Sequence, residues 1–131
     1  MQSIFSKIIQ KEISCHLVAE NDFAIAFMDI QPIALGHVLV VPKVEQDYLF
    51  DLDDDIYSQL WGFTKTIQYA IKQVVKCKKI GVSVVGLEVP HAHIHLIPIN
   101  SVDDMNFKNK ISISNADLRV LAIKIAQHIK I

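Results

Sequence analysis

"DDDIYSQLWGFTKTIQYAIKQVV", residues 53–75, carries Ile56, Leu60, Phe63, Ile67, Ile71, Val74 and Val75 at helical spacing. A stripe of apolar residues with that period turns one face of a helix toward a core. Asp53, Asp54 and Asp55 sit where the positive end of a helix dipole favours negative charge, so the acidic run reads as a helix start rather than a metal site. Lys76, Lys78 and Lys79 favour the opposite end, and Gly81 is expected just past it as the stop. A long helix in mid-chain separates an N-terminal flank from a C-terminal one.

Both flanks read as strands. Ahead of the helix, "CHLVAE" (15–20), "FAIAFMD" (23–29) and "HVLVVP" (37–42) are separated by "ND" and "IQPIALG", the pattern of a meander. Behind it, "IGVSVVGLEV" and "AHIHLIPI" predict two more strands, tightly connected around Gly86 to Pro90. Phe5, Ile8 and Ile9 suit a short turn of helix near the start. A second amphipathic helix closes the chain, with Ser114 and Asp117 as a capping pair ahead of Leu118, Leu121, Ala122 and Ile125. The stretch "NSVDDMNFKNKISIS" (100–114) is polar and irregular and suggests no role. The order is that of an antiparallel α+β domain, with the long helix covering one sheet face and the other left partly open to a ligand or partner.

Composition narrows the function classes. The 131 residues, 51% of them hydrophobic, suit a single globular domain with no repeat or low-complexity seam. Thirteen basic against fourteen acidic residues create no strong field for nucleic acid or anionic lipid, so neither is an expected partner. Cys15 and Cys77 make no disulfide framework and no Cys-x-x-Cys pair. "MQSIFSKIIQKEIS" lacks the unbroken apolar run of a secretory signal. The longest apolar run, near "IALGHVLVVP", is well short of the ~20 residues that cross a bilayer. The expectation is a soluble cytoplasmic protein with no membrane partner.

Of six histidines in the chain, three fall within "PHAHIHLIP" (90–98). Alternation along a strand would put His91, His93 and His95 on one face while Ala92, Ile94 and Leu96 enter the core. Solvated surface histidines are one explanation, and a metal site is another. Positions i and i+4 on a strand lie roughly 13 Å apart, however, so three consecutive alternating histidines cannot share one ion without severe bending. The third explanation is chemistry on a phosphate, with an imidazole nucleophile in the centre and donors on either side; histidine suits both tasks because it titrates near neutral pH.

"HAHIHLI" (91–97) resembles the His-φ-His-φ-His-φ-φ signature, φ being apolar, of the histidine triad (HIT) family of nucleotide hydrolases and transferases. The resemblance continues through "IFSKIIQKEIS" (4–14), "FMDIQP" (27–32) and "GHVLVVPK" (36–43), and is nearest to the small branch acting on nucleoside phosphoramidates. It implies a HIT-like, five-stranded antiparallel sheet with a long helix and a C-terminal helix. The single domain would span 1–131, with a motif-bearing core at 4–98 and a helical tail at about 114–131.

The implied activity is cleavage at the α-phosphate of nucleoside 5'-phosphoramidates or dinucleoside polyphosphates, through a nucleotidyl-histidine. By motif position, His93 resembles the nucleophile and His91 the residue whose backbone carbonyl orients it. His95 resembles the contact to phosphate and leaving group, and His37 the fourth histidine packed against the triad. Asp29 matches the acceptor of ribose hydroxyls, and Phe5, Ile8, Phe27 and Ile30 match the nucleobase pocket. Without the resemblance, Asp29 would read as a turn former, Phe5, Ile8 and Phe27 as core, and His37 as a strand-start residue of no stated role. Related transferases carry glutamine where this chain has His95, which favours a hydrolase. A purine nucleotide substrate and a homodimer joined through the long helix and an edge strand are implied as partners; no metal and no cofactor is.

Two departures stand out. Relatives usually carry a longer Gly-rich loop before the triad, whereas "VVGLEVP" (84–90) has only Gly86, with Glu88 where a hydroxyl residue is common. A carboxylate beside a phosphate is unfavourable, so Glu88 either selects a cationic leaving group or, the favoured alternative, faces solvent. The shortened loop keeps open a catalytically weak nucleotide-binding protein of the same fold; a metal-dependent enzyme is a further rival. Some bacterial relatives hold a structural zinc partly through an N-terminal Cys-x-x-Cys, and Ser3 and Ser6 stand at those positions. Serine hydroxyls are poor zinc ligands, so that site is expected to be absent.

Overall fold

The long helix α2, Asp54–Val74, comes after three strands and precedes two. The computed structural model describes residues 2–129. In chain order it holds α1 (Ile4–Ile9), β1 (Leu17–Glu20), β2 (Ala24–Met28), β3 (Val38–Pro42), α2, β4 (Lys79–Ser83), β5 (Ile94–Ile99) and α3 (Asn115–Ala126). The strands form one antiparallel five-stranded sheet in the order β1-β2-β3-β5-β4, so the fold is α+β as the pattern predicts. The expected tail at 114–131 holds α3, capped by Ser114 Oγ accepting from Asp117 N–H; its last two residues lie outside the described residues.

Every residue of β2 and β3 is buried, which means that both faces of the sheet centre are covered. On one face Ala24, Ala26, Met28, Val38, Val40, Ile94 and Leu96 pack against Leu60, Phe63, Ile67 and Ile71 of α2 and Leu118, Ala122 and Ile125 of α3. On the other, Ile25, Phe27, Leu39 and Val41 pack with Phe5 and Ile8 of α1 in a smaller core. Burying each such large apolar side chain stabilises the fold by about 1.5–3 kcal/mol. The smaller core covers β2 and β3 but leaves the β5 end of that face to histidine.

Two expectations about element ends are corrected. Gly81 is not the stop of α2: Val75, in extended conformation, closes the helix, and Gly81 lies inside β4. A Cβ on Gly81 would come within 2.7 Å of Met105 Sδ and 3.0 Å of Ile99 Cδ1, so Gly81 sits in close packing, where a larger residue would make those side chains shift, and not at a helix cap. The glycines at positive φ are Gly36, at +88° in the turn entering β3, and Gly86, at +69° in the loop before the histidines.

The second correction concerns the histidine strand. β5 begins at Ile94, so His95 is in the ladder while His91 and His93 precede it. The reason lies in the partner strand. Val40 pairs with Ile94, and continuing that register would set Ala92 opposite Pro42, which has no N–H to donate. The chain leaves the sheet there: Ala92 N–H donates to Gln46 O at 2.7 Å and His91 N–H to Val89 O at 2.8 Å.

Candidate functional site

The bend brings four buried histidine rings, His37, His91, His93 and His95, to one side of the sheet. Phe5, His93, His95 and His37 form a contiguous row, with ring centroids 4.9 Å apart from Phe5 to His93, 4.9 Å from His93 to His95 and 5.2 Å from His95 to His37. His91 lies behind the row, its ring edge-on to Phe5 at 5.9 Å. The one-face expectation therefore holds for His93 and His95 through ring packing, and not through strand alternation from His91 onward.

Hydrogen-bond partners fix the tautomer of each ring, because a carbonyl only accepts and a backbone N–H only donates. His91 Nε2 is 2.8 Å from Pro42 O and must carry the hydrogen, which leaves Nδ1 to accept from Ser3 Oγ–H at 2.7 Å. His93 Nδ1 is 2.7 Å from His91 O and must carry the hydrogen, so the neutral ring keeps its lone pair on Nε2. His37 Nδ1 accepts from Ile33 N–H at 3.1 Å, so its Nε2–H donates to His95 Nδ1 at 3.0 Å. By the same logic His95 holds its own hydrogen on Nε2. A basic nitrogen on His93 and a donor on the adjacent His95 result.

Electrostatics keep His95, His37 and His91 neutral. Burial, with the His93 and His37 rings and the Lys110 cation adding, pushes His95 down to about 3. Burial also depresses His37, partly offset by the Asp29 carboxylate and reinforced by Lys110 and His93. His91 is lowered by burial against the opposing pull of the Pro42 carbonyl and Glu45.

Asp29 turns one carboxylate oxygen toward His37, Oδ2 to Nε2 at 3.4 Å, while Oδ1 accepts from Gln31 N–H at 2.8 Å. Among the described residues, Asp29, His37 and His95 are a group that offers ligand atoms within 4.8 Å of one another, the donor set a cation would need. A cation would have to displace the hydrogen that now joins the two imidazoles. The extended-strand spacing argued against the three consecutive histidines sharing one ion, and the set that converges comes from three separate segments.

The remaining predicted residues divide. Phe5, Ile8 and Phe27 lie in the smaller core, Phe5 and Phe27 edge-to-face at 5.7 Å. Ile30 is apart from them, 69% exposed, on the rim of a 360 Å³ cleft shared with Gln31, Lys110, Ile111, Ser112 and Ile113. Glu88 is exposed.

Sequence reasoning missed Phe107 and Lys110 of the irregular segment. The Phe107 ring stands edge-on over His95 at 4.8 Å and His37 at 6.3 Å, with Lys110 Nζ 6.0 Å from its centroid. Ile111 N–H, donating to Pro32 O at 2.9 Å, ties the segment down. A lone aromatic in a polar stretch was the available signal. Also missed was a cluster beneath α1, where Ser3 N–H and Ser6 Oγ–H both donate to Glu45 Oε1 at 2.6 Å.

A family model described as the HIT domain matches residues 10–102. The chain belongs to the HIT family. It is 33% identical over 135 residues to an uncharacterised HIT-like protein of Borreliella burgdorferi, covering 96% of this chain and 97% of that one. Over 96 residues it is 35% identical to the adenosine 5'-monophosphoramidase HNT1 of Saccharomyces cerevisiae, covering 72% of this chain and 61% of that protein. A HIT-like protein from Bartonella henselae, described as involved in cell-cycle regulation, superimposes with a TM-score of 0.85 at 32% identity, covering 97% of this chain and 96% of that one. The assembled Asp29, His37 and His95 of this HIT protein are consistent with nucleotide-hydrolase chemistry.

Proposed function

We propose that the protein hydrolyses nucleoside 5'-phosphoramidates, or dinucleoside polyphosphates, at the α-phosphate. One observation carries the reading: the His91 carbonyl holds His93 Nδ1–H, so the Nε2 lone pair is free beside the ring of His95. In this reading His93 Nε2 forms a bond to phosphorus while the bond to the leaving amine or phosphate breaks, and the leaving group departs with the electron pair. The Nε2–H of His95 donates to the phosphoryl oxygens and leaving group as charge develops there. An amine takes up one proton from solvent as it leaves; water then attacks the nucleotidyl-histidine, gives one proton back to solvent, releases a nucleoside monophosphate and restores His93. Two displacements at one phosphorus give net retention of configuration.

Asp29 is assigned to the ribose hydroxyls, since a carboxylate has acceptor capacity beyond the Gln31 N–H. Ile30 supplies the exposed base contact, with Phe5, Ile8 and Phe27 as the packed wall behind the histidine row; a purine is the base expected. The kinship to yeast adenosine 5'-monophosphoramidases supports the substrate class. A homodimer is supported by β4, an edge strand whose Val82 is 49% exposed and whose continuation exposes Val84 and Val85. A cytoplasmic location belongs to the same reading, and no helix among the described residues is long and apolar enough to cross a membrane.

The test is hydrolysis of adenosine 5'-phosphoramidate by wild type and His93→Ala. Turnover should vanish in the variant while AMP still binds, and rapid quench of wild type should trap the adduct. An active His93→Ala enzyme would overturn the mechanism. A second reading, nucleotide binding with weak catalysis, is favoured by the short exposed stretch around Glu88; it predicts AMP binding without turnover in wild type.

A further inference from the structure

Ser3 takes no part in the chemistry just proposed, yet it is buried and its hydroxyl is engaged twice. Ser3 Oγ accepts from Ser6 N–H at 3.0 Å and donates to His91 Nδ1 at 2.7 Å. Its backbone N–H goes to Glu45 Oε1, which also takes the Ser6 hydroxyl. Those two donors hold the Glu45 carboxyl below the usual carboxylate range, so it stays ionised and the anchor is a charged one. His91 is thus held at both ring nitrogens, by Ser3 on one side and the Pro42 carbonyl on the other, and its own carbonyl holds His93.

We infer that Ser3, seated by Glu45, is a positioning residue for the nucleophile, acting through His91 to fix the orientation and free nitrogen of His93. The inference rests on His93 being the nucleophile. An imidazole ring can rotate by 180° or exchange tautomers, and either change at His91 would break the bond to Pro42 or to Ser3. With the serine hydroxyl in place, one arrangement satisfies both ring nitrogens. Without it, the buried Nδ1 has no donor, so the ring is free to move and the peptide carrying the His91 carbonyl moves with it. The carbonyl then no longer confines the Nδ1–H of His93, and attack geometry degrades while the nucleotide contacts at Asp29 and Ile30 are untouched. The first turn of α1 is in this view a clip closed over the back of the active site.

The experiment has a ligand-free arm and a kinetic arm. In long-range ¹H–¹⁵N spectra of histidine-labelled wild type, His91 should appear with the hydrogen on Nε2 and His93 with the hydrogen on Nδ1. Ser3→Ala should lower kcat for adenosine 5'-phosphoramidate at least tenfold with KM changed less than twofold, and lose the single His91 tautomer. Ser3→Thr, which keeps a hydroxyl, should restore kcat to within about threefold of wild type. A wild-type His91 carrying its hydrogen on Nδ1, a Ser3→Ala enzyme with wild-type kcat, or a loss confined to KM would each overturn the inference. A silent Ser3→Ala beside an inactive His93→Ala removes the positioning role alone; an active His93→Ala removes the nucleophile, whatever the tautomers show.

Discussion

His37 and His95 meet through a single hydrogen, Nε2 of the first 3.0 Å from Nδ1 of the second, in a pocket that buries both rings. The pair orients itself: Ile33 N–H fixes His37, and His37 fixes which nitrogen of His95 faces outward with a hydrogen. The His37–His95 bond therefore turns a donor nitrogen of His95 outward.

Removing His37 leaves His95 Nδ1 buried without a donor. His37→Ala is expected to lower kcat on adenosine 5'-phosphoramidate by one to two orders of magnitude, about 1.4 kcal/mol of barrier per tenfold. His37→Asn, which can place an N–H near the same point, should recover part of it. Steady-state kinetics of the two variants checks this, and equal activity of His37→Ala and wild type would show that His95 needs no such partner.

Stability should depend on the neutral rings. His95, His37 and His91 are depressed below the ordinary value of 6.5, so below that pH the unfolded chain binds protons that the folded chain refuses. Stability is therefore highest above about pH 6.5 and falls as pH drops toward 3, by at most roughly 1.4 kcal/mol per pH unit for each ring. Urea midpoints at pH 7 and pH 5 test the sign. A midpoint that rises at pH 5 would contradict the burial of the rings.

The Phe107 ring packs edge-on against His95 at 4.8 Å. Phe107→Ala should raise the His95 pKa from about 3 toward its ordinary value, and Lys110→Gln should raise it less by removing a cation that burial outweighs. Histidine NMR titrations of the two variants give the comparison directly. An unmoved His95 in Phe107→Ala would assign its depression to the neighbouring rings instead.

The edge strand offers a test of assembly. Val82 is exposed on β4, so Val82→Lys should leave the fold of one chain intact. Sedimentation equilibrium should show a dimer for wild type and a monomer for the variant, because an unpaired lysine in a shared sheet is costly. A wild-type monomer would remove the dimer from the reading.

The α+β order, the sheet members and the helices α2 and α3 were legible because apolar periodicity, the acidic first turn at Asp54 and Asp55 and the Ser114 cap are local signals. The Phe107 contact was not, since nothing local ties position 107 to 37 and 95; the segment is held by a backbone bond from Ile111 to Pro32. His91 and His93 read as strand because alternation continues through "HAHIH", while the ladder stops at Ile94 for a reason located at Pro42. Ile30 and Phe27, near neighbours in sequence, separate because Phe27 closes β2's inner face and Ile30 begins an exposed turn.

Pro42 touches no reacting atom, yet its missing amide hydrogen decides where the polypeptide peels away from the sheet, and the carbonyl it leaves unclaimed becomes the seat of His91. An ordinary amino acid at 42 would invite Ala92 to zip into register. Backbone pairing would then compete with the crook that lifts His93 out of the pleat. The corner that gathers the histidine row is shaped by what one imino acid is unable to offer.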